Sequence, residues 1–364
     1  MGALHIMNYF VLVLLGVMYV FMPRLMNKYL LFGVTVNDDI LSTDEVSDIK
    51  RLYKLRMSLT TLFIVIVYTV VLIMMSDAAV VIWFVVLLLL EIVIMSVFYL
   101  LAHFGVKKLK GDPVEPKRMV STEIGEETEI KVLPAWSYLL YLAVIIGVVW
   151  YSFSIYDSIP DVIAIHFDAN GVADGFADKS VMYILLMPIM MLFMTLLFVG
   201  VNYSFKIAKK VSGRARGRLT IEQEKKYRFV WSVGMFIFGF ILILLFAVIQ
   251  MFSIEVFTQT ELIMWITVMS TIAIILLVGI LAVTMGQSGS RVKTDEVNTE
   301  IVDADDDEFW KLGSFYYNKQ DPTLFVNKRF GIGMTLNFGN KWAWVFVGAI
   351  LLLVVGSLIL PFIL

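Results

Sequence analysis

One histidine and several aspartates are concentrated in a short segment, residues 159–180, which lies between two strongly apolar stretches. Imidazole and carboxylate groups can bind a ligand, or simply form turns and helix caps. We select eight candidate ligand-binding residues in this segment: Pro160, His166, Asp168, Asn170, Gly171, Asp174, Gly175 and Lys179. The spacing departs from that of a calcium-binding loop, so we predict no metal site and no cofactor. Ligand recognition and a purely structural role both remain open.

The same segment indicates a short, ordered loop. Pro160 restricts the backbone, and the residues from Val162 to Phe167 favour an extended strand. The run from Asp168 to Gly171 is typical of a turn, and Gly175 is a second position where a positive φ is expected. Asp178 or Ser180 is expected to cap a following helix.

A single carboxylate, Glu91, lies near the middle of an apolar stretch that reads Leu-Leu-Leu-Leu-Glu-Ile. A charged group in hydrocarbon is costly, so this side chain is expected to face protein and to be paired or protonated. We expect its partner to be a hydroxyl, an amide or water. Two interpretations stay open: a proton or substrate path, and a structural hydrogen bond.

A third candidate region, from Phe309 to Asn340, mixes aromatic residues, glycines and a Lys-Arg pair. Alternating apolar residues predict a short strand or hairpin. We expect partner or lipid contacts from seven residues: Trp310, Tyr317, Asn327, Lys328, Arg329, Phe330 and Gly331. The region is either an interfacial packing element or a docking face for a soluble partner. Its Asn327-Lys328 and Phe330-Gly331 also echo an earlier Asn27-Lys28 and Phe32-Gly33.

Composition identifies the elements that must position these residues. The chain of 364 residues is 60% hydrophobic and 16% charged, and it contains no cysteine, which excludes disulfides and thiolate metal sites. We predict an all-α polytopic membrane protein with about eight transmembrane helices, a short ordered extracellular loop and a small cytoplasmic segment before the last helix. The expected spans are Ile6 to Met22, Ser58 to Met75, Ala79 to Phe104, Trp136 to Phe153, Val181 to Tyr203, Phe229 to Met251, Leu262 to Met285 and Trp342 to Phe362.

The distribution of basic residues predicts the orientation of these spans. When loops are assigned alternately to two sides, 28 of the 29 lysines and arginines lie on one side, and Lys179 alone lies on the other. Cytoplasmic loops carry such an excess, so both termini are expected to be extracellular in a bacterial cell membrane. We expect the first apolar stretch to be a retained helix, because no basic residue precedes it.

We divide the chain into six parts. They are 1–134, an N-terminal three-helix region with basic cytoplasmic loops; 135–228, a helix-loop-helix with an extracellular loop at 155–180; 229–285, two further membrane helices; 286–308, an acidic flexible linker; 309–341, a cytoplasmic segment; and 342–364, a final membrane helix.

Two of these parts resemble known families. Pro160-Asp161, His166-Phe167, Asn170-Gly171, Asp174-Gly175 and Lys179-Ser180 resemble the domain of unknown function 1648 (DUF1648), which opens the SdpI-type membrane proteins of Gram-positive bacteria. That resemblance implies an immunity factor against a secreted toxin, or a receptor that captures a transcriptional repressor. The segment from Phe309 to Asn337 is similar to the domain of unknown function 5808 (DUF5808), which is found beside the first domain in bacterial membrane proteins.

Three functional hypotheses remain. No motif of a hydrolase, zinc protease or nucleotide-binding enzyme occurs, so we do not expect an enzyme. We do not expect nucleic acid as a partner either, because the basic loop from Lys206 to Arg228 is explained by the positive-inside rule and contact with anionic lipid. The hypotheses are a sensor or immunity protein that recognises an external peptide or envelope stress and signals to a cytoplasmic regulator, a proton-coupled transporter that uses Glu91, and a non-catalytic subunit of a membrane complex. Membrane lipid is an expected partner, and the oligomeric state is not predicted.

Overall fold

The computed structural model describes residues 3–27, 29–110, 130–167, 172–208, 221–256, 260–293 and 307–363. The helices within these ranges are α1 (Ala3–Leu25), α2 (Asp38–Leu41), α3 (Asp44–Met74), α4 (Asp77–Lys110), α5 (Leu139–Ser154), α6 (Val181–Ile207), α7 (Ile221–Ser253), α8 (Thr260–Met285) and α9 (Lys341–Ile363). The strands form four antiparallel hairpins: β1 (Leu30–Leu31) with β2 (Val34–Thr35), β3 (Val162–Phe167) with β4 (Ala173–Asp178), β5 (Trp310–Lys311) with β6 (Phe315–Tyr316), and β7 (Phe325–Asn327) with β8 (Met334–Leu336).

Seven of the described helices are long and apolar enough to cross a membrane, namely α1 and α3 to α8. The expected all-α polytopic membrane protein is therefore confirmed. Helix α9 occupies the eighth expected position: its backbone is helical to Ile363, and its described apolar part is Lys341–Leu352.

Helices α3 and α7 begin well before the apolar stretches that predicted them. Helix α3 starts at Asp44, where the side chain of Thr43 accepts a hydrogen bond from the amide of Val46. The basic residues between Lys50 and Arg56 consequently lie on the helix and not in a loop. A hydropathy pattern reports only the apolar part of such a helix.

The chain divides into two compact units. The first comprises residues 1–10, 129–206 and 225–284, and therefore holds α5, α6, most of α7 and α8, and the β3–β4 hairpin. Its core contains the buried side chains of Tyr141, Met191, Phe198 and Ile243. The Tyr141 hydroxyl donates a hydrogen bond to the carbonyl of Phe236, which satisfies this polar group in an otherwise apolar interior.

The second unit comprises residues 11–128, 207–224 and 285–364, and it holds α3, α4, α9 and the other three hairpins. Its core includes Phe32, Val34, Tyr53, Met57 and Met95. The Tyr53 hydroxyl donates to the carbonyl of Tyr19 over 2.9 Å, which ties α3 to α1. Short strands are thus packed directly against helices in this core.

Two hairpins of the second unit turn through residues in the left-handed region. In the β1–β2 turn, Phe32 has φ 48° and Gly33 has φ 78°; in the β5–β6 turn, Leu312 has φ 54° and Gly313 has φ 67°. Such turns match the twist of the strands that they join. The Gly33 and Gly313 backbones are in contact, and a side chain at either position would overlap its neighbours.

The expected flexible linker, 286–308, is packed at both of its described ends. Gln287, Ser288 and Val292 are buried, and Asp307 forms ion pairs with two cations. The expectation is therefore wrong at these ends, because Gln287 is held by hydrogen bonds to backbone groups and Asp307 by two cations. The middle of the segment, 294–306, lies outside the described residues.

Candidate functional site

The β3–β4 hairpin between α5 and α6 carries the first group of candidate residues. Its register pairs Val162 with Asp178 and Ala164 with Phe176, and it becomes irregular on both sides of His166. The predicted extended segment from Val162 to Phe167 is confirmed as β3, whereas the second strand was not expected. Alternate side chains of β4 are exposed, so the hairpin presents Asp174, Phe176 and Asp178 on one face.

His166 and Asp174 form a pair on this exposed face. The His166 Nδ1 atom is hydrogen-bonded to Asp174 Oδ1, and the two side chains are 70% and 50% exposed. Pairs so accessible to water contribute little to stability, with about 1 kcal/mol as the upper range. The pair is therefore placed where a ligand can reach it, and the fold does not depend on it.

Buried contacts hold the base of the hairpin against its own unit. Ile159 and Ile163 pack with Ile184 of α6 and with Ile254, and all four are buried. The Ser253 hydroxyl donates a hydrogen bond to the carbonyl of Ala164. Burial of apolar side chains of this size stabilises a fold by about 1.5–3 kcal/mol each, so the hairpin base is firmly attached.

Lys179 belongs to this attachment and not to the exposed face. Its side chain is 15% exposed, and its Nζ donates to the carbonyl of Ile159 over 2.7 Å and to that of Tyr156 over 3.4 Å. The ammonium group also lies 5.3 Å from the centroid of the Tyr156 ring. The expected role of Lys179 as a ligand contact does not agree with these bonds, because its donors are already directed to the hairpin base.

Gly175 is required for a different reason from the one expected. It does not have a positive φ; instead, a Cβ at this position would lie 2.8 Å from the Cβ of His166, its partner across the hairpin. Ser180 caps α6 as predicted, since its side chain accepts from the Tyr183 amide over 3.3 Å. Pro160 is half-buried just before β3, and the candidates Asp168, Asn170 and Gly171 lie outside the described residues.

Glu91 lies on α4 in the second unit and is fully buried. The Thr61 hydroxyl is 3.1 Å from Glu91 Oε1 and 3.3 Å from the carbonyl of Met57. The predicted hydroxyl partner is confirmed. The Thr61 hydroxyl has one proton, so it can donate to only one of these two oxygens. If Glu91 is protonated, its carboxyl group donates to the Thr61 oxygen and the Thr61 hydroxyl donates to the Met57 carbonyl, which satisfies both contacts. Glu91 Oε2 has no hydrogen-bond partner within the described part of the chain.

A second charged group, the Asp307 cluster, comprises Thr35, Lys110, Asp307 and Arg329. Lys110 Nζ is 2.5 Å from Asp307 Oδ2, the Thr35 hydroxyl donates to Oδ1 over 2.8 Å, and Arg329 Nη1 also donates to Oδ1. Burial would raise the pKa of Asp307, but the charges and hydrogen bonds of Arg329 and Lys110 outweigh burial and lower the pKa to about 2. Asp307 is thus held as a carboxylate.

The third group of candidates is mostly integrated into the second unit. Trp310 and Arg329 are buried, with the guanidinium 5.2 Å from the Trp310 ring centroid. The Phe330 ring lies 4.1 Å from that of Tyr99. Asn327 and Gly331 are half-buried, and only Tyr317 and Lys328 are exposed. These contacts favour the interfacial packing element over the docking face.

Three buried polar residues near this group were missed at the level of sequence. The Tyr99 hydroxyl lies 3.3 Å from the carbonyl of Phe32 and 3.1 Å from that of Leu312, the two equivalent turn residues. His103 places Nδ1 2.9 Å from the Phe32 carbonyl, and because a carbonyl oxygen can only accept, this nitrogen must donate there. Gln287 joins the two Asn-Lys segments: its Oε1 accepts from the Asn27 amide, and its Nε2 donates to the carbonyls of the residues at 328 and 329.

The sequence echo had selected the wrong counterpart for the first turn. Phe32-Gly33 shares its backbone conformation with Leu312-Gly313, whereas Phe330-Gly331 follows β7 and has a positive φ only at the glycine. Tyr99 and His103 could have been selected from the sequence. They are one helical turn apart near the polar end of an apolar helix, so they lie on the same face.

Comparison with protein families agrees with both resemblances. The model of DUF1648, described as a domain of unknown function, matches residues 143–192, which include the β3–β4 hairpin. The model of DUF5808, a family of unknown function, matches residues 319–344, which include β7 and β8. The chain therefore contains both of these domains. No curated protein and no solved structure matches it.

Proposed function

We propose that this protein is a bacterial membrane receptor of the sensor or immunity type, which recognises an external peptide through the β3–β4 hairpin. The observation that supports this proposal is the exposed His166–Asp174 pair on a hairpin whose base is fixed by buried contacts. A rigid scaffold that presents accessible polar groups is typical of recognition sites. Binding, not catalysis, is the role proposed for these residues.

The charge of the hairpin indicates the kind of peptide. Among the described residues, this region exposes four carboxylates, on Asp157, Asp161, Asp174 and Asp178. The Lys179 ammonium, which donates to the carbonyl of Ile159, lies 3.5 Å from Asp161 Oδ1 and offsets part of that one charge. Phe176, which is 60% exposed, adds an apolar contact between two of these carboxylates. A peptide with basic and apolar residues complements this face.

The strand edges of the hairpin offer a second mode of contact. Within the described residues, β3 and β4 pair only with each other, so each strand has an outer edge with backbone donors and acceptors. An extended peptide can add to such an edge by main-chain hydrogen bonds while side chains set the specificity. We include signalling to a cytoplasmic regulator in the proposal as the response that follows binding.

The test is protection of growing cells against secreted cationic peptides. A deletion strain is complemented with the wild type, His166→Ala or Phe176→Ser, and protein levels are measured in the membrane fraction. We expect deletion to sensitise the cells and both variants to rescue poorly at normal protein levels. Phe315→Ser, which changes another exposed phenylalanine, 51% exposed and in the second unit, is the matched control. Full rescue by both hairpin variants would refute recognition by this face.

The buried Glu91 favours a second candidate function, a proton-coupled transporter. Its Oε2 atom lacks a partner among the described residues, and an intramembrane carboxylate of this kind is suited to exchange a proton. Proton flux into proteoliposomes should then be abolished by Glu91→Gln and unaffected by His166→Ala. If neither the wild type nor the variant moves protons under a pH gradient, transport through Glu91 is excluded.

A further inference from the structure

An elongated cleft of about 450 Å³ lies between α1 and α3 in the second unit. Val13, Val17 and Phe21 form the wall on α1, while Leu62 and Val65 line the α3 side. Its volume falls in the range of about 300–1,000 Å³ that is typical of small-molecule sites. The cleft is therefore large enough to hold a bound molecule and apolar enough to favour a hydrocarbon.

Polar groups line the cleft on one face of α3. Lys54, Ser58 and Thr61 follow one another at intervals of about one helical turn and all contribute to the lining. Thr61 faces Glu91 through its hydroxyl, whereas Ser58 is exposed and lies one helical turn beyond Lys54. The polarity of the cleft thus decreases along the helix, from a cation through a hydroxyl to apolar side chains.

Two cations lie at the polar end of the cleft. Lys54 is exposed and makes no ion pair or hydrogen bond with any residue that the structure describes. The Arg24 guanidinium lies 5.4 Å from the centroid of the Phe21 ring, which lines the cleft. Helix α3 carries charged residues as far as Arg56 and none from Met57 to Met74, so Lys54 lies where its polar part meets its apolar part. Lipid phosphates occupy that level in a bilayer.

We propose that this cleft binds one anionic phospholipid. The phosphate lies between Lys54 and Arg24, the Ser58 hydroxyl donates to an ester carbonyl about one turn further along, and an acyl chain fills the apolar part. Charge complementarity selects this occupant, because an apolar partner helix would bring no negative charge to Lys54 and Arg24. A specifically bound lipid differs from the surrounding bulk lipid, which contacts any apolar helix surface and needs neither a cleft nor a cation at the end of that cleft.

The test measures the dissociation constant of individual lipids for the purified full-length protein by native mass spectrometry. We expect phosphatidylglycerol to bind at least about fivefold more tightly than phosphatidylcholine, since each basic residue near the membrane surface contributes about that factor. Lys54→Gln should weaken phosphatidylglycerol by about fivefold and leave phosphatidylcholine unchanged. Lys50→Gln, an exposed lysine one turn earlier that does not line the cleft, should have no effect.

Blocking variants test the position of the acyl chain. Val17→Trp fills the cleft from α1 and should weaken the binding of both lipids. If this variant does not fold, Leu62→Trp, which fills the cleft from α3, replaces it in the test. Equal binding of the two lipids by the wild type would overturn the proposal, as would equal effects of Lys50→Gln and Lys54→Gln. Unchanged lipid binding in both tryptophan variants would place the lipid elsewhere. Full displacement of phosphatidylglycerol by inorganic phosphate would show a simple anion site and would also contradict the proposal.

Discussion

Replacing Asp307 by asparagine tests whether the Asp307 cluster holds the second unit together. The exposed fractions of the side chains are 23% for Asp307, 11% for Lys110 and 3% for Arg329. Removing one member of a buried ion pair leaves its partners without a countercharge, which costs about 3–5 kcal/mol. We therefore expect Asp307→Asn to lower the unfolding temperature of the detergent-solubilised protein by several degrees at pH 7.

The pKa of Asp307 supplies an independent magnitude and a sign. Because its pKa falls from an ordinary value of 3.8 to about 2 on folding, the folded state binds the proton less tightly than the unfolded state. This difference corresponds to about 2 kcal/mol of stability, which is fully present above the unfolded pKa and is lost as the pH falls towards 2. By pH 3, about 1 kcal/mol of it should be gone.

The assay compares the unfolding free energies of the wild type and Asp307→Asn from pH 7 to pH 3. The gap between them should narrow as the pH falls, because protonation removes from the wild type the same charge that the substitution removes. Asp48→Asn is the matched control, since Asp48 pairs with Arg51 at the surface with exposed fractions of 70% and 83%. If the two variants are equally stable at pH 7, or if the gap does not change with pH, the reasoning is refuted.

Substitutions at three further positions, Glu91, Gly175 and Gly313, test other contacts. Glu91→Gln should leave the unfolding temperature nearly unchanged, because an amide can donate to Thr61 as a neutral carboxyl does, whereas Glu91→Ala should cost about 2–5 kcal/mol; equal losses would contradict a neutral Glu91. Gly175→Val should speed hydrogen exchange in β3 and β4 without affecting the helices, and unchanged protection would contradict the close approach of His166. Gly313→Ala should lower the unfolding temperature, since φ is +67° and a Cβ would meet a histidine ring, while Gly348→Ala, with open space around it in α9, should not.

The membrane helices could be predicted from the sequence because the bilayer imposes one simple requirement on every span. Apolar stretches of about 20 residues identify them without knowledge of any contact. Helix boundaries were less accessible, since the polar first half of α3 is stabilised by its Thr43 cap and by packing of Val46 and Tyr53, not by hydrocarbon. Hydropathy contains no record of that packing.

The candidate residues were predictable where local sequence determines their environment. The β3 strand and the Ser180 cap follow from short-range preferences, and both were found. The Asp307 cluster did not follow, because its members are separated by 22 to 272 residues from Asp307 in the chain. An aspartate in an acidic run also resembles any solvated one. Arg329 was selected for a surface contact for the same reason, although it is buried.

The contact between the two hairpin turns has a consequence for biogenesis. Tyr99 and Leu312, whose hydroxyl and carbonyl meet, are separated by 213 residues in the chain. At a synthesis rate of about 5–20 residues per second, roughly 10–40 s pass between the appearance of the first and that of the second. During this interval the β1–β2 turn has been synthesised, but the β5–β6 turn that contacts it has not. A ribosome that stalls before Leu312 therefore leaves a core in which the Tyr99 hydroxyl lacks one of its two carbonyl neighbours.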